Sequence, residues 1–275
     1  MIVEAATDTN QVLIAFALTL FAGLSTGIGS TIAFLAKSTN TKFLSVALGF
    51  SGGVMIYLSF VEIFPEAKEI LSAEVGLHGG YLLTILAFFT GILFIAVIDK
   101  LVPEFENPHE LKRVEQMYDK EQLKNKKLYR MGMMSAVAIT LHNFPEGLAT
   151  FMAALQDIRL GLPIAIAIAI HNIPEGIAVS VPIHHSTGSK RKAFTYSFLS
   201  GLAQPVGALV GFFILMPFLN EVVFGFLFAA VAGIMVFISL DSLLPAAREY
   251  GEPHLALYGL TGGMAVMALS LVFFL

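Results

Sequence analysis

The chain has 275 residues, 56% of them hydrophobic and 13% charged, with a formal net charge of -4. Soluble domains carry about 25% charged residues, so this composition is that of a membrane protein, and the small acidic balance gives no support to a nucleic-acid partner. Cysteine and tryptophan are both absent, which excludes disulfides and thiolate metal ligands and leaves any aromatic belt to Tyr and Phe.

The first residues, MIVEAATDTN, hold no Lys or Arg ahead of the apolar stretch, unlike a cleavable signal peptide. A helix needs about 20 apolar residues to cross a hydrocarbon core of about 30 Å. Eight runs qualify: Val12–Ala36, Phe43–Phe64, Tyr81–Val102, Met131–Leu155, Leu160–Pro182, Ala193–Leu219, Val222–Leu244 and Leu255–Leu275. The expected fold is an all-α polytopic membrane protein forming a single transmembrane domain over residues 1–275. Between the third and fourth spans, residues 103–129 include HELKRVEQMYDKEQLKNKK, a charged stretch of helical character that reads as an aqueous loop.

Lys and Arg concentrate in cytoplasmic loops. Lys37, Lys42, Lys100, seven residues from Lys112 to Arg130, Lys190–Lys192 and Arg248 put 14 of the 16 on one side of this topology, against Lys68 and Arg159 on the other. The crowded side is the cytoplasm, which places both termini outside it.

Two internal repeats stand out. HNFPEG (residues 142–147) recurs in the next span as HNIPEG (171–176). GVMIYLSFVEIFPEAKE (Gly53–Glu69) recurs in the seventh span as GIMVFISLDSLLPAARE (Gly233–Glu249), with Gly53, Met55, Ser59, Pro65, Ala67 and Glu69 identical. The second and seventh spans run in opposite directions, as do the fourth and fifth. The repeats are therefore inverted, spans 1–3 against 6–8 and span 4 against 5, a pattern of secondary transporters built around discontinuous helices.

Within each hexapeptide, His142 and Glu146 stand four residues apart and share a helix face, with Asn143 at its edge; His171, Asn172 and Glu175 repeat the arrangement. Each histidine lies about 14 residues from the turn near Gln156–Ile158, about 21 Å at a rise of 1.5 Å per residue, so the two share one depth. Pro145 and Pro174 remove the amides that would bond the Leu141 and Ile170 carbonyls, tolerable in lipid only where the helix faces protein or a watery cavity. A carboxylate at the bilayer centre costs about 2.5–3.5 kcal/mol on insertion scales. A divalent cation relieves that cost. Two imidazoles and two carboxylates make an N2O2 set of formal charge -2, suited to Zn2+ and other borderline divalent metals, with the asparagines adding oxygen donors. The imidazoles must be neutral to bind, so metal binding should release protons. A lone intramembrane histidine serves equally well as a helix–helix hydrogen bond; two antiparallel copies at one depth point to a shared site. Glu62, three residues before Pro65, and Asp241, four before Pro245, are candidate way stations on the ion's path, salt bridges or caps being the competing readings. His184 and His185, at the cytoplasmic end of the fifth span, are placed to meet an ion leaving the site, though loop histidines more often have no specific role.

LHNFPEGLATF (Leu141–Phe151) and IHNIPEGIAVS (Ile170–Ser180) resemble the signature fourth and fifth helices of the ZIP (Zrt/Irt-like) metal transporters, most closely the bacterial zinc-uptake branch. The likeness extends over the whole chain and includes GSKRK (Gly188–Lys192) and SGLAQPVGAL (Ser200–Leu209). It implies uptake of divalent metal, zinc with tolerance for iron, manganese, cobalt or cadmium, across the bacterial plasma membrane into the cytoplasm. The metal is the transported substrate, not a cofactor. It makes His142, Asn143, Glu146, His171, Asn172 and Glu175 the transport-site ligands. It also implies an elevator-like or rocking motion of one helix group, and often a homodimer. Two departures bear on the site. Relatives that hold two adjacent metals use a glutamate where this chain has Gln204, and Asn172 replaces the Asp of some members; one well-held metal is expected, with Gln204 the candidate at a second position. Relatives also commonly place an acid three residues before the seventh-span proline, where this chain has Ser242, with the acid at Asp241.

The alternatives are an intramembrane metal-dependent enzyme and a proton-coupled anion carrier. No HExxH occurs, and seven histidines fall short of the eight or so that a histidine-box oxidase needs. No serine nucleophile is evident beside them. No Lys or Arg lies deep in a span to receive an anion.

Overall fold

The computed structural model describes residues 8–35, 41–101, 120–215, 218, 220–250 and 253–274, which are helical almost throughout and contain no strand. In chain order the helices are α1 (Thr9–Leu35), α2 (Thr41–Leu58), α3 (Phe64–Val75), α4 (Leu77–Leu101), α5 (Lys120–Gln156), α6 (Ile158–Thr187), α7 (Lys190–Gly201), α8 (Ala203–Val210), α9 (Glu221–Ile238), α10 (Leu244–Tyr250) and α11 (Pro253–Phe274). Seven of the eight expected spans fall in helices long and apolar enough to cross a membrane. The fourth, Met131–Leu155, lies inside the 37-residue α5, which begins at Lys120 within the stretch read as loop. Residues 103–119 of that stretch, and Lys37, lie outside the described residues.

Helix ends follow local chemistry. Asp157 accepts the amide of Arg159 at 2.8 Å and starts α6 directly after α5, a cap worth about 1 kcal/mol. Gly188, at φ 65°, closes α6 with its N–H on the His184 carbonyl. The second span does not stop at Pro65. A π turn over Ser59–Ile63 carries the helix on to Val75, with the Phe64 N–H on the Ser59 carbonyl. The missing proline amide is absorbed by the change of register. The same turn recurs in the repeat at Ser239–Leu243, before Pro245, with the Leu244 N–H on the Ser239 carbonyl. The sixth span runs on through Leu202, between α7 and α8 and ahead of Pro205, with the Leu202 N–H on the Phe198 carbonyl and the Val206 N–H on the Leu202 carbonyl.

The helices pack as two bundles. In the first, α1, α5, α6, α7 and α8 surround one another; in the second, α2 pairs with α11 and α4 with α9 and α3. The bundles meet where α2 crosses α6, α9 crosses α5 and α11 touches α6, and Gln156 of α5 donates to Glu66 of α3 at 3.2 Å. In lipid, helices associate through small residues that bring backbones close. A Cβ on Gly176 would strike the Thr26 carbonyl, and one on Gly147 the Gln204 carbonyl, so the glycine after each motif glutamate seats α6 on α1 and α5 on α8. Gly147→Ala is therefore expected to cost about 3 kcal/mol or more, as overpacking against backbone that cannot swing away. The measurement is the thermal unfolding of purified protein; an unchanged midpoint would mean the crossing is looser than described.

Outside these contacts α4 presents Leu82, Leu86, Phe89, Leu93, Phe94 and Val97 unburied. Such an apolar face suits contact with lipid rather than water.

Candidate functional site

The tight turn at Asp157 sets α5 and α6 antiparallel, and the hexapeptides meet side by side. His142, Asn143, Glu146, His171, Asn172 and Glu175 are all buried to within 1%. The pairing is crossed. His142 Nε2 stands 3.0 Å from Glu175 Oε2, and His171 Nε2 stands 3.3 Å from Glu146 Oε1. Each imidazole thus meets the carboxylate of the other helix, not the one four residues along its own. Among the described residues no three His, Asp or Glu side chains stand grouped around a common point as a bound cation would hold them; these four are matched two and two.

The hydrogen bonds fix one proton. His171 Nδ1 is 3.1 Å from the Ala167 carbonyl, which can only accept, so Nδ1 carries a hydrogen. The contact between Nε2 and Glu146 then needs a second hydrogen, whichever atom holds it. A cation that takes His171 Nε2 must displace that proton. The asparagines are oriented in the same way. Asn143 Nδ2 donates to the Ser200 carbonyl at 2.9 Å, and Asn172 Nδ2 to the Ala22 carbonyl at 2.8 Å. Their amide nitrogens brace α5 on α7 and α6 on α1. Their oxygens are left for other partners, and Asn172 Oδ1 is buried without one.

Gln204 enters the cluster from the start of α8, which packs along α5. Its Nε2 donates to Glu146 Oε2 at 3.0 Å and reaches Asn143 Oδ1 at 3.5 Å, while its Oε1 is buried and unpartnered. From α2, the Ser51 hydroxyl donates to Glu175 Oε1 at 3.1 Å. Sequence reasoning missed Ser51. It lies two residues before the Gly53–Glu69 repeat, and no pattern in the sequence marks it. Glu62 and Asp241 are not part of this cluster. Both sit in the π turns; Glu62 is eleven residues beyond Ser51 on a continuous helix, about 16 Å away by helical rise. At the far end of α6 His184 meets Phe34 edge to face, ring centroids 5.7 Å apart, and the His185 ring lies tilted, 6.2 Å from that of His184.

A polytopic helical protein that seals imidazole, carboxylate and amide donors between the helices of its bundles, with the exposed side chains around them apolar, has the make-up of a membrane transporter. The comparisons with known proteins agree. The family described as ZIP Zinc transporter matches residues 100–271, and the chain belongs to that family. It is 63% identical over 267 residues to the zinc transporter ZupT of Streptococcus mutans serotype c, covering 97% of this chain and 100% of the relative. Against the ZupT of Lysinibacillus sphaericus it is 65% identical over 264 residues, covering 96% and 98%. Against that of Clostridium perfringens it is 56% identical over 280 residues, covering 98% of each. Membership of a transporter family sets aside the intramembrane enzyme.

Proposed function

We propose that this chain takes up divalent metal, zinc foremost and with tolerance for iron, manganese, cobalt or cadmium, across a bacterial plasma membrane into the cytoplasm. His142, Glu146, His171 and Glu175 are the central ligands, and Asn143 and Asn172 supply further oxygens. The observation that carries this reading is the crossed pairing. Two imidazole nitrogens and two carboxylates from antiparallel helices already face one another, buried, at 3.0 and 3.3 Å. One divalent ion between them completes an N2O2 set and offsets its charge. The zinc named in the ZupT relatives supports the choice of metal.

The paired helix contacts support the inverted repeat. Asn143 to Ser200 and Asn172 to Ala22 are the same brace. Gly147 on Gln204 and Gly176 on Thr26 are likewise one contact made twice. Ser200 follows Ala22 in sequence by the same interval as Gln204 follows Thr26. The bias of Lys and Arg supports a cytoplasmic side shared by the α1–α2 and α6–α7 turns, with both termini opposite. Glu62 would then lie on the outer approach and Asp241 on the inner one. A homodimer belongs to the same reading, and crosslinking in native membranes at twice the chain mass tests it.

Proteoliposomes enclosing a zinc-sensitive dye test the function. Influx well above that of empty vesicles is expected, and influx equal to theirs defeats the reading. Zinc added to the purified, weakly buffered protein should also acidify the solution by at least one proton per ion bound, the proton held between His171 and Glu146. A titration with no pH change would show that this proton is not displaced.

A further inference from the structure

The site is buried on every side, so an ion reaches or leaves it only if helix packing opens. The α2–α6 crossing, one of the places where the bundles meet, runs beside it. Gln204, Asn143 and Asn172 belong to the bundle that carries the site. Ser51 belongs to the other one. Its hydroxyl, fully buried, lies 3.1 Å from Glu175 Oε1 and 3.4 Å from the His171 carbonyl. A hydroxyl has one hydrogen, and the nearer carboxylate takes it. Glu175 is thereby engaged on both oxygens, Oε2 by His142 and Oε1 by Ser51. The α9–α5 crossing is different. There Val231 on α9 faces Leu148, Ala149 and Met152 of α5 around a small apolar cavity. Gln156 at the end of α5 also donates to Glu66 of α3 at 3.2 Å, away from the site, whereas the Ser51 bond ties the bundles through a site carboxylate.

We propose that Ser51 is a positioning residue that acts as a latch: it stabilises the ion-free, cross-paired arrangement and ties α2 to α6 in it, and a divalent ion that draws Glu175 away opens the tie. The inference rests on the proposed metal site. A bond made in the ion-free state and lost in the bound one opposes binding, because a ligand shifts a balance only by its differential affinity for the two states. Removing the bond should therefore tighten binding. A ligand or a purely structural residue predicts the reverse.

The test is zinc binding to the purified full chain, by competition with a chelating dye, and zinc uptake by the same protein in vesicles. Ser51→Ala is expected to lower the zinc Kd about three- to tenfold and to leave maximal uptake at or above that of the unaltered chain. Ser51→Thr, which keeps the hydroxyl, should return Kd to within about twofold. Should Ser51→Ala fold poorly, Ser51→Val, matched in shape to the Thr variant but without its hydroxyl, should tighten binding as well. An unchanged or higher Kd in the folded Ala or Val variant overturns the latch. Glu175→Ala in the same assay separates the two proposals. If it loses binding while Ser51→Ala changes nothing, the site stands and the latch falls; if it binds and transports zinc normally, the site itself falls.

Discussion

Vesicles carrying Glu146→Ala together with Glu175→Ala are expected to take up zinc no faster than empty vesicles, a loss of about a hundredfold or more. Even supporting partners of metal ligands cost 10–100-fold when removed, and here two of four central donors go, with the whole formal charge of the site. The double change also strips each imidazole of its partner. His142 loses Glu175 at 3.0 Å and His171 loses Glu146 at 3.3 Å. Both carboxylates leave together, so no unpaired buried anion remains to unfold the protein. The Gln204 and Ser51 donors that served them lose those bonds, at about 1–3 kcal/mol for each buried group left unsatisfied. The companion Glu146→Gln plus Glu175→Gln keeps an oxygen at each position and removes only charge. It should fold as the unaltered chain does and still transport poorly. Normal influx through either pair would show that the ion does not pass through this cluster.

The hexapeptides were legible because polar groups in a bilayer are expensive and these recur at one depth. Counting from the Gln156–Ile158 turn placed both histidines together, and the structure joins them. The crossing of the pairs was not legible. Four-residue spacing puts His142 and Glu146 on one face, but how two helices rotate against each other is set by the glycine contacts with α1 and α8. The approach of Gln204 to Glu146 was hidden because SGLAQPVGAL reads as one apolar run. The π turns were hidden as well. Hydropathy does not register a one-residue change of helix register, and Pro65 looked like a span's end. Ser51 was missed for a sound reason. A serine or threonine in an apolar helix usually bonds its own preceding turn, as Thr19, Ser59, Thr84 and Ser239 do. Nothing in the sequence set it apart from them.

Gln204→Glu is expected to raise bound zinc from one toward two ions per chain, measured by elemental analysis of purified, dialysed protein. In the unaltered chain Gln204 is a donor hub, its amide hydrogens serving Glu146 Oε2 at 3.0 Å and Asn143 Oδ1 at 3.5 Å. Glutamate has no hydrogen to give when ionised. The change would leave three acceptors, from residues 143, 146 and 204, facing one another in a fully buried place. Two carboxylates that close cannot both ionise without help, so one must hold a proton or the group must hold a cation. A divalent ion suits an all-oxygen cluster of that kind, and Glu146 would then bridge it to the ion held by His171. The shared proton competes with the added ion, so the gain should grow as pH rises. The same substitution should lower stability in the presence of a strong chelator and restore it when zinc is returned, a sign that the cluster needs its ion. Stoichiometry that stays at one, with stability indifferent to the chelator, would mean that residue 204 does not decide how many metals the site holds.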